Sequence, residues 1–254
     1  MTSSTATFRF YEELNDFLPP QRRKVRFPVS FRYSPSVKDT IESLGVPHTE
    51  VDVILANGAS IDFSYRLHDG DDVAVYPVFE SLDMTSVTRL RPAPLRKIAF
   101  ICDVHLGRLC RALRMLGFDT LYRNDYKDPE IVEIARAEHR IVLTRDRGLL
   151  KHASVTHGYC VRSTAWRKQT REVIGRFDLR GAAAPFTRCM GCNGSIMPIE
   201  KKEIVDLLDD TTKRYYDAFS RCLSCGRVYW EGSHFAKLRD QVGELIEGKE
   251  ISGP

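Results

Sequence analysis

Over the first ninety residues, short apolar runs alternate with one stretch of helical period. Residues 5–11 and 24–31 alternate as strands do, residues 36–44 carry apolar side chains at helical spacing behind Ser36, and residues 51–55 predict a third strand. The phrase Leu67-His68-Asp69-Gly70-Asp71-Asp72-Val73-Ala74-Val75-Tyr76-Pro77 supplies a turn and a further strand. Arg91-Pro92-Ala93-Pro94 then breaks the pattern, because two prolines disfavour both helix and central strand. Beyond it the rhythm changes. Apolar runs at 98–102, 120–122, 141–144 and 159–161 predict strands, with helices between them at 105–118 and from Asp128-Pro129 onward, and a last one to residue 177 opened by Ser163 or Thr164. Strands alternating with helices of this length predict a parallel sheet covered on both faces.

The order hairpin, helix, two strands in residues 1–91 resembles a β-grasp, ubiquitin-like fold. Its Asp-Gly-Asp turn is similar to that of the sulfur carriers of thiamine and molybdopterin synthesis. Those carriers work through a free C-terminal Gly-Gly, whereas here Val78-Phe79-Glu80 runs on into further chain. Carrier chemistry is therefore not expected, and the module is expected to dock a protein partner or to position substrate.

Charge adds a direction. The formal net charge is +4, but 18 basic against 10 acidic side chains in residues 95–180 give that segment +8, while residues 1–90 carry −4 and residues 181–254 carry −1. A polyanion would bind the middle of the chain. No stretch approaches the roughly 20 apolar residues of a membrane helix, and Glu12, Glu13 and Asp16 occupy the place of a signal-peptide core. A cytoplasmic protein without membrane association is expected.

In a parallel sheet, ligands bind beyond the carboxyl ends of the strands. Asp103 follows the first predicted strand of the second region, Asp125 and Asp128 follow the next, and Asp146 follows the third. Carboxylates gathered at one edge repel one another unless cations neutralise them, and oxygen ligands suit Mg²⁺ or Mn²⁺. As plain structure, Asp128 before Pro129 reads as a helix N-cap and Asp125 as a polar loop residue. Asp103 and Asp146 follow apolar strands directly and are the stronger candidates. Arg108, Arg111 and Arg114 fall on the polar side of the helix after Asp103, and Arg145 and Arg147 bracket Asp146. Arginines so placed can hold phosphates and steer a nucleic-acid backbone.

Seven cysteines, an odd number, do not suggest a disulfide framework. Cys102, Cys110 and Cys160 lie inside apolar patterns and read as buried small hydrophobes. Cys189-Met190-Gly191-Cys192 and Cys222-Leu223-Ser224-Cys225 are two knuckles separated by 29 residues, a pattern that predicts one closed tetrahedral structural Zn²⁺ site.

Several motifs together carry a wider resemblance: Asp103 with Leu106-Gly107-Arg108-Leu109, Leu113-Arg114-Met115-Leu116-Gly117-Phe118-Asp119, and Leu143-Thr144-Arg145-Asp146-Arg147. Gln169, Arg188-Cys189, Cys192-Asn193 and Tyr229-Trp230-Glu231-Gly232-Ser233-His234 extend it. Residues 96–240 thus resemble the Mut-seven C-terminal ribonucleases, a PIN-like family. The resemblance implies a multidomain α/β protein with a β-grasp domain at 1–91, a PIN-like parallel α/β nuclease domain at 95–185, and a zinc ribbon with a tail at 186–254. It implies Mg²⁺- or Mn²⁺-dependent hydrolysis of RNA, transfer RNA among the candidate substrates, with Asp103, Asp125, Asp128 and Asp146 as the acidic positions. The rival expectation is a non-catalytic RNA-binding adaptor on the same fold.

Overall fold

The computed structural model describes residues 3–77 and 98–247. The continuation of the strand through Val78, the 91–94 boundary and the tail from residue 248 lie outside the described residues.

The N-terminal sheet is built from β1 (Ser4–Phe10), β2 (Phe27–Phe31), β3 (Val51–Ala56), β4 (Ala59–Ile61) and β5 (Asp72–Pro77), in the order β2-β1-β5-β3-β4. β1 pairs antiparallel with β2 and parallel with β5, which puts the first and last strands side by side at the centre. This is the β-grasp arrangement. Helix α1 (Val37–Ser43) starts where Ser36 accepts the Asp39 N–H at 3.0 Å. Its apolar residue Ile41 is buried, as are Phe8, Phe10, Leu14, Ile54, Val73 and Val75. The sequence reading omitted β4. Asn57 and Gly58, both at positive φ, form the tight turn that folds it back on β3.

The rest of the chain contributes β6 (Ala99–Cys102), α2 (Gly107–Met115), β7 (Asp119–Leu121), α3 (Asp128–Glu138), β8 (Ile141–Thr144), α4 (Arg147–Leu150), β9 (Gly158–Cys160) and α5 (Trp166–Arg176). It continues with β10 (Ile196–Ile199), α6 (Asp210–Tyr215), β11 (Phe219–Cys222), β12 (Val228–Trp230) and α7 (Phe235–Glu247). β6 pairs in parallel with β7, and β8 in parallel with β9, as the alternation of strands and helices predicts. β10, β11 and β12 form an antiparallel sheet in that order.

Contacts divide the chain into two compact units, residues 1–97 with 127–160 and residues 98–126 with 161–254. In the first, the β-grasp domain is grouped with α3, β8, α4 and β9, and its short turn His48–Glu50 packs against β9. In the second, β6, α2, β7 and α5 pack with the cysteine-bearing sheet and α7. There α5 is tied to α7 by Arg171, 2.9 Å from Glu244, and by Arg167, 3.3 Å from the same carboxylate.

Candidate functional site

The two cysteine knuckles converge. One sulfur from each of Cys189, Cys192, Cys222 and Cys225 lies within 4.8 Å of the others, and among the described residues this is the one group of three or more potential ligands so close. Each knuckle is a tight turn whose second cysteine donates its N–H toward the first sulfur, Cys192 to Cys189 at 3.4 Å and Cys225 to Cys222 at 3.5 Å. The residue after each pair, Asn193 or Gly226, takes positive φ to close the turn. The Tyr229 hydroxyl sits 2.9 Å from the Cys189 sulfur. Burial raises the Cys189 pKa, but hydrogen bonds from Tyr229 and from backbone N–H groups outweigh it and bring the thiol down to about 6. Burial and its neighbouring sulfurs push Cys192 up to about 12. Four sulfurs gathered this closely could hold one metal ion.

The first knuckle is fastened to the α/β layer. Asn193 donates to Asp119 at 2.8 Å and accepts the Thr120 N–H at 3.0 Å, and Arg188 pairs with Asp119 at 3.2 Å. Arg114 completes the joint from α2. It is 5% exposed, and its guanidinium donates to the carbonyls of Thr120 and Gly191, both at 2.8 Å. This corrects the expectation for Arg114, which is a buried strut and not part of a phosphate-facing surface. The reason lies in the carbonyls it reaches, that of Thr120 being part of a fully buried residue. Arg108 and Arg111 of the same helix are exposed, as expected.

The four aspartates stand in different settings. Asp103, 5% exposed, directly follows β6 and accepts the His105 N–H at 2.7 Å, which caps a short turn into α2. Asp125 is exposed and forked on Arg123 at 2.9 and 2.8 Å. Asp128 is the first residue of α3 and not its N-cap. That place belongs to Lys127, whose N–H is taken by Glu130 at 2.9 Å. Asp146 follows β8, is exposed, and caps α4 by accepting the Gly148 N–H at 2.7 Å. Asp103 and Asp125 belong to the second unit, Asp128 and Asp146 to the first. Arg145 and Arg147 are exposed, but Arg147 leans over the Phe17 ring at 4.9 Å and reaches the Phe17 carbonyl at 3.4 Å.

Asn193, Asp119 and Tyr229 are the residues that sequence reasoning left without a role. A knuckle position that must take positive φ and yet is asparagine rather than glycine was the available signal for Asn193.

Residues 98–242 match the model of the Mut7-C RNAse domain, and residues 3–83 match that of the Mut7-C ubiquitin domain. The chain belongs to the Mut7-C RNAse domain family. It is also 35% identical over 106 residues to the human protein named exonuclease mut-7 homolog. That match takes in 39% of this chain and 12% of the length of the human protein. SAMP1 from Haloferax volcanii aligns along its whole length with 31% of this chain, at 14% identity and a TM-score of 0.25. The family is one of RNAse domains, and the N-terminal domain is ubiquitin-like. No helix among the described residues is long and apolar enough to cross a membrane.

Proposed function

We propose that this chain hydrolyses RNA at a PIN-type acidic site containing Asp103, Asp125, Asp128 and Asp146. The observation that carries the reading is Asp103. It is a nearly buried carboxylate at the carboxyl end of a parallel strand, inside the segment matched by the RNAse model. Asp146 repeats the device after β8, its Oδ1 likewise held by a backbone N–H two residues on. These donors are oxygens, the chemistry that suits Mg²⁺ or Mn²⁺. Such an ion supplies a water of lowered pKa and neutralises charge on the phosphodiester. In this reading Asp103 and Asp146 foremost, with Asp125 and Asp128, would supply the carboxylate oxygens for the metal chemistry. Arg108, Arg111 and Arg145 bind the RNA backbone, transfer RNA being one candidate substrate.

The cysteine quartet holds Zn²⁺ in a structural role. Tetrahedral Zn–S bonds of 2.3 Å would set sulfurs about 3.8 Å apart; the Cys189–Cys225 and Cys192–Cys222 separations are 3.7 and 3.4 Å. Thiols kept for metal binding suit a reducing compartment such as the cytoplasm.

The test is cleavage of a total RNA pool by chelator-washed protein with Mg²⁺ or Mn²⁺ restored. Asp103→Asn and Asp146→Asn should each lower the rate on the order of 100-fold or more, the cost of losing one preorganised electrostatic partner. Variants as fast as wild type would overturn the reading. The same assay separates this reading from a non-catalytic RNA-binding adaptor on the same fold. An adaptor would bind RNA without metal-stimulated cleavage, and binding would survive both substitutions.

A further inference from the structure

Helix α4, directly after Asp146, has only four residues, and a single turn does not persist without tertiary support. Leu149 and Leu150 bury its apolar side. Its polar side is held by the ubiquitin-like domain of the same unit, at points spread along residues 147–160. Arg147 contacts Phe17 as described. The Lys151 ammonium donates to the Glu42 carbonyl at 2.6 Å. His48 lies between the Glu42 carboxylate, 2.6 Å from Nδ1, and the Val155 carbonyl, 2.9 Å from Nε2. Glu50, with no exposed surface, accepts the Cys160 N–H at 2.6 Å.

A fully buried carboxylate is costly unless its bonds are satisfied, so Glu50 is not a residue that a freely tethered module would retain at its surface. His48 is also buried. Both side chains are spent on backbone groups of β9 and of the loop that precedes it. Together with Lys151 and Arg147 they brace both ends of the segment beginning at the Asp146 turn.

We propose that the ubiquitin-like domain serves the nuclease site directly, with Glu50 and His48 as positioning residues that brace residues 147–160 and so fix the turn presenting Asp146. The proposal rests on the assignment of Asp146 to the acidic site. A ubiquitin-like domain that only recruited a partner protein would leave cleavage by the purified chain indifferent to these contacts.

The experiment uses the full chain with Glu50→Leu, Glu50→Gln and Lys151→Met. Glu50→Gln keeps the acceptor oxygen and the shape, and Lys151→Met breaks a bond nearer the surface and guards against misfolding of Glu50→Leu. Hydrogen exchange of amides 147–160 is read without reference to activity, and kcat and KM are read on RNA. Glu50→Leu and Lys151→Met should each speed exchange across this segment about tenfold. They should lower kcat by about tenfold, in the range for residues that orient metal ligands, with KM within about twofold. Glu50→Gln should restore both. Unchanged exchange in both disruptive variants would overturn the brace. Faster exchange with kcat intact would overturn its role in positioning. If wild type does not cleave RNA while exchange still responds, the nuclease reading fails and, with it, the assignment of this brace to catalysis.

Discussion

Gly194 shows how one residue decides whether the four sulfurs can meet. A Cβ there would stand 2.4 Å from the Ser224 hydroxyl and 2.8 Å from the Cys222 sulfur, so the two knuckles approach across a position that tolerates no side chain. The Ser224 hydroxyl could rotate aside; the Cys222 sulfur, fixed by its turn, could move only by leaving the quartet. Gly194→Ala should therefore reduce bound zinc well below one ion per chain and lower the melting temperature, as measured by elemental analysis and calorimetry. A variant with full zinc content and unchanged melting would show that the knuckles have room. Gly107 is a second close approach. A Cβ on it would meet the Tyr122 hydroxyl at 2.7 Å, and that hydroxyl donates to the Val104 carbonyl in the turn after Asp103.

At the scale of elements, the turn before β5 is organised by a single carboxylate. Asp71, 4% exposed, accepts hydrogen bonds from the His68 N–H and the Asn57 amide, both at 2.8 Å, and from the Tyr65 hydroxyl at 3.1 Å. It thereby joins that turn to the β3–β4 hairpin. Burial raises its pKa, but these donors outweigh burial and hold it below the ordinary carboxylate value of 3.8. A depressed folded-state pKa stabilises the domain above the unfolded value, and that stability is lost as pH falls through the folded one. Urea unfolding at pH 7 and pH 3 should show a smaller loss of stability on acidification in Asp71→Asn than in wild type. An equal loss in both would remove Asp71 from the account. The β-grasp strands and the parallel pairs were legible because apolar period and turn residues agree with the tertiary structure there. β4 was not, since three residues are too few to show a period. The elements between the knuckles were missed for another reason. Ile204, Leu208 and Phe219 form a small core with Ile199, Tyr216 and Val228, contributed by separate short segments with no common period. Arg114 has the sequence position of an exposed helical arginine, and only the carbonyls it reaches reveal that it is buried.

For the whole molecule, the cysteine quartet and β7 are mechanically one structure, because Asn193, Arg188 and Arg114 bind the first knuckle to β7. The small core around Phe219 contributes to order in the insert between the knuckles, but the knuckles themselves present chiefly polar and glycine residues around the sulfurs. Structural zinc contributes roughly 10–16 kcal/mol of apparent binding free energy in small finger peptides, far more than a core of this size can supply. Metal loss should therefore loosen the cysteine-bearing sheet and travel along the Asn193 joint to β7. The ubiquitin-like domain shares no residues with that unit. Cys222→Ser should abolish stoichiometric zinc, make the chain beyond about residue 185 sensitive to protease, and speed hydrogen exchange at the Thr120 amide that Asn193 accepts, while residues 3–77 keep their protection. Digestion no faster than wild type would show that the sheet stands without its metal. Exchange at Thr120 unchanged while the knuckles open would show that the joint does not transmit the loss.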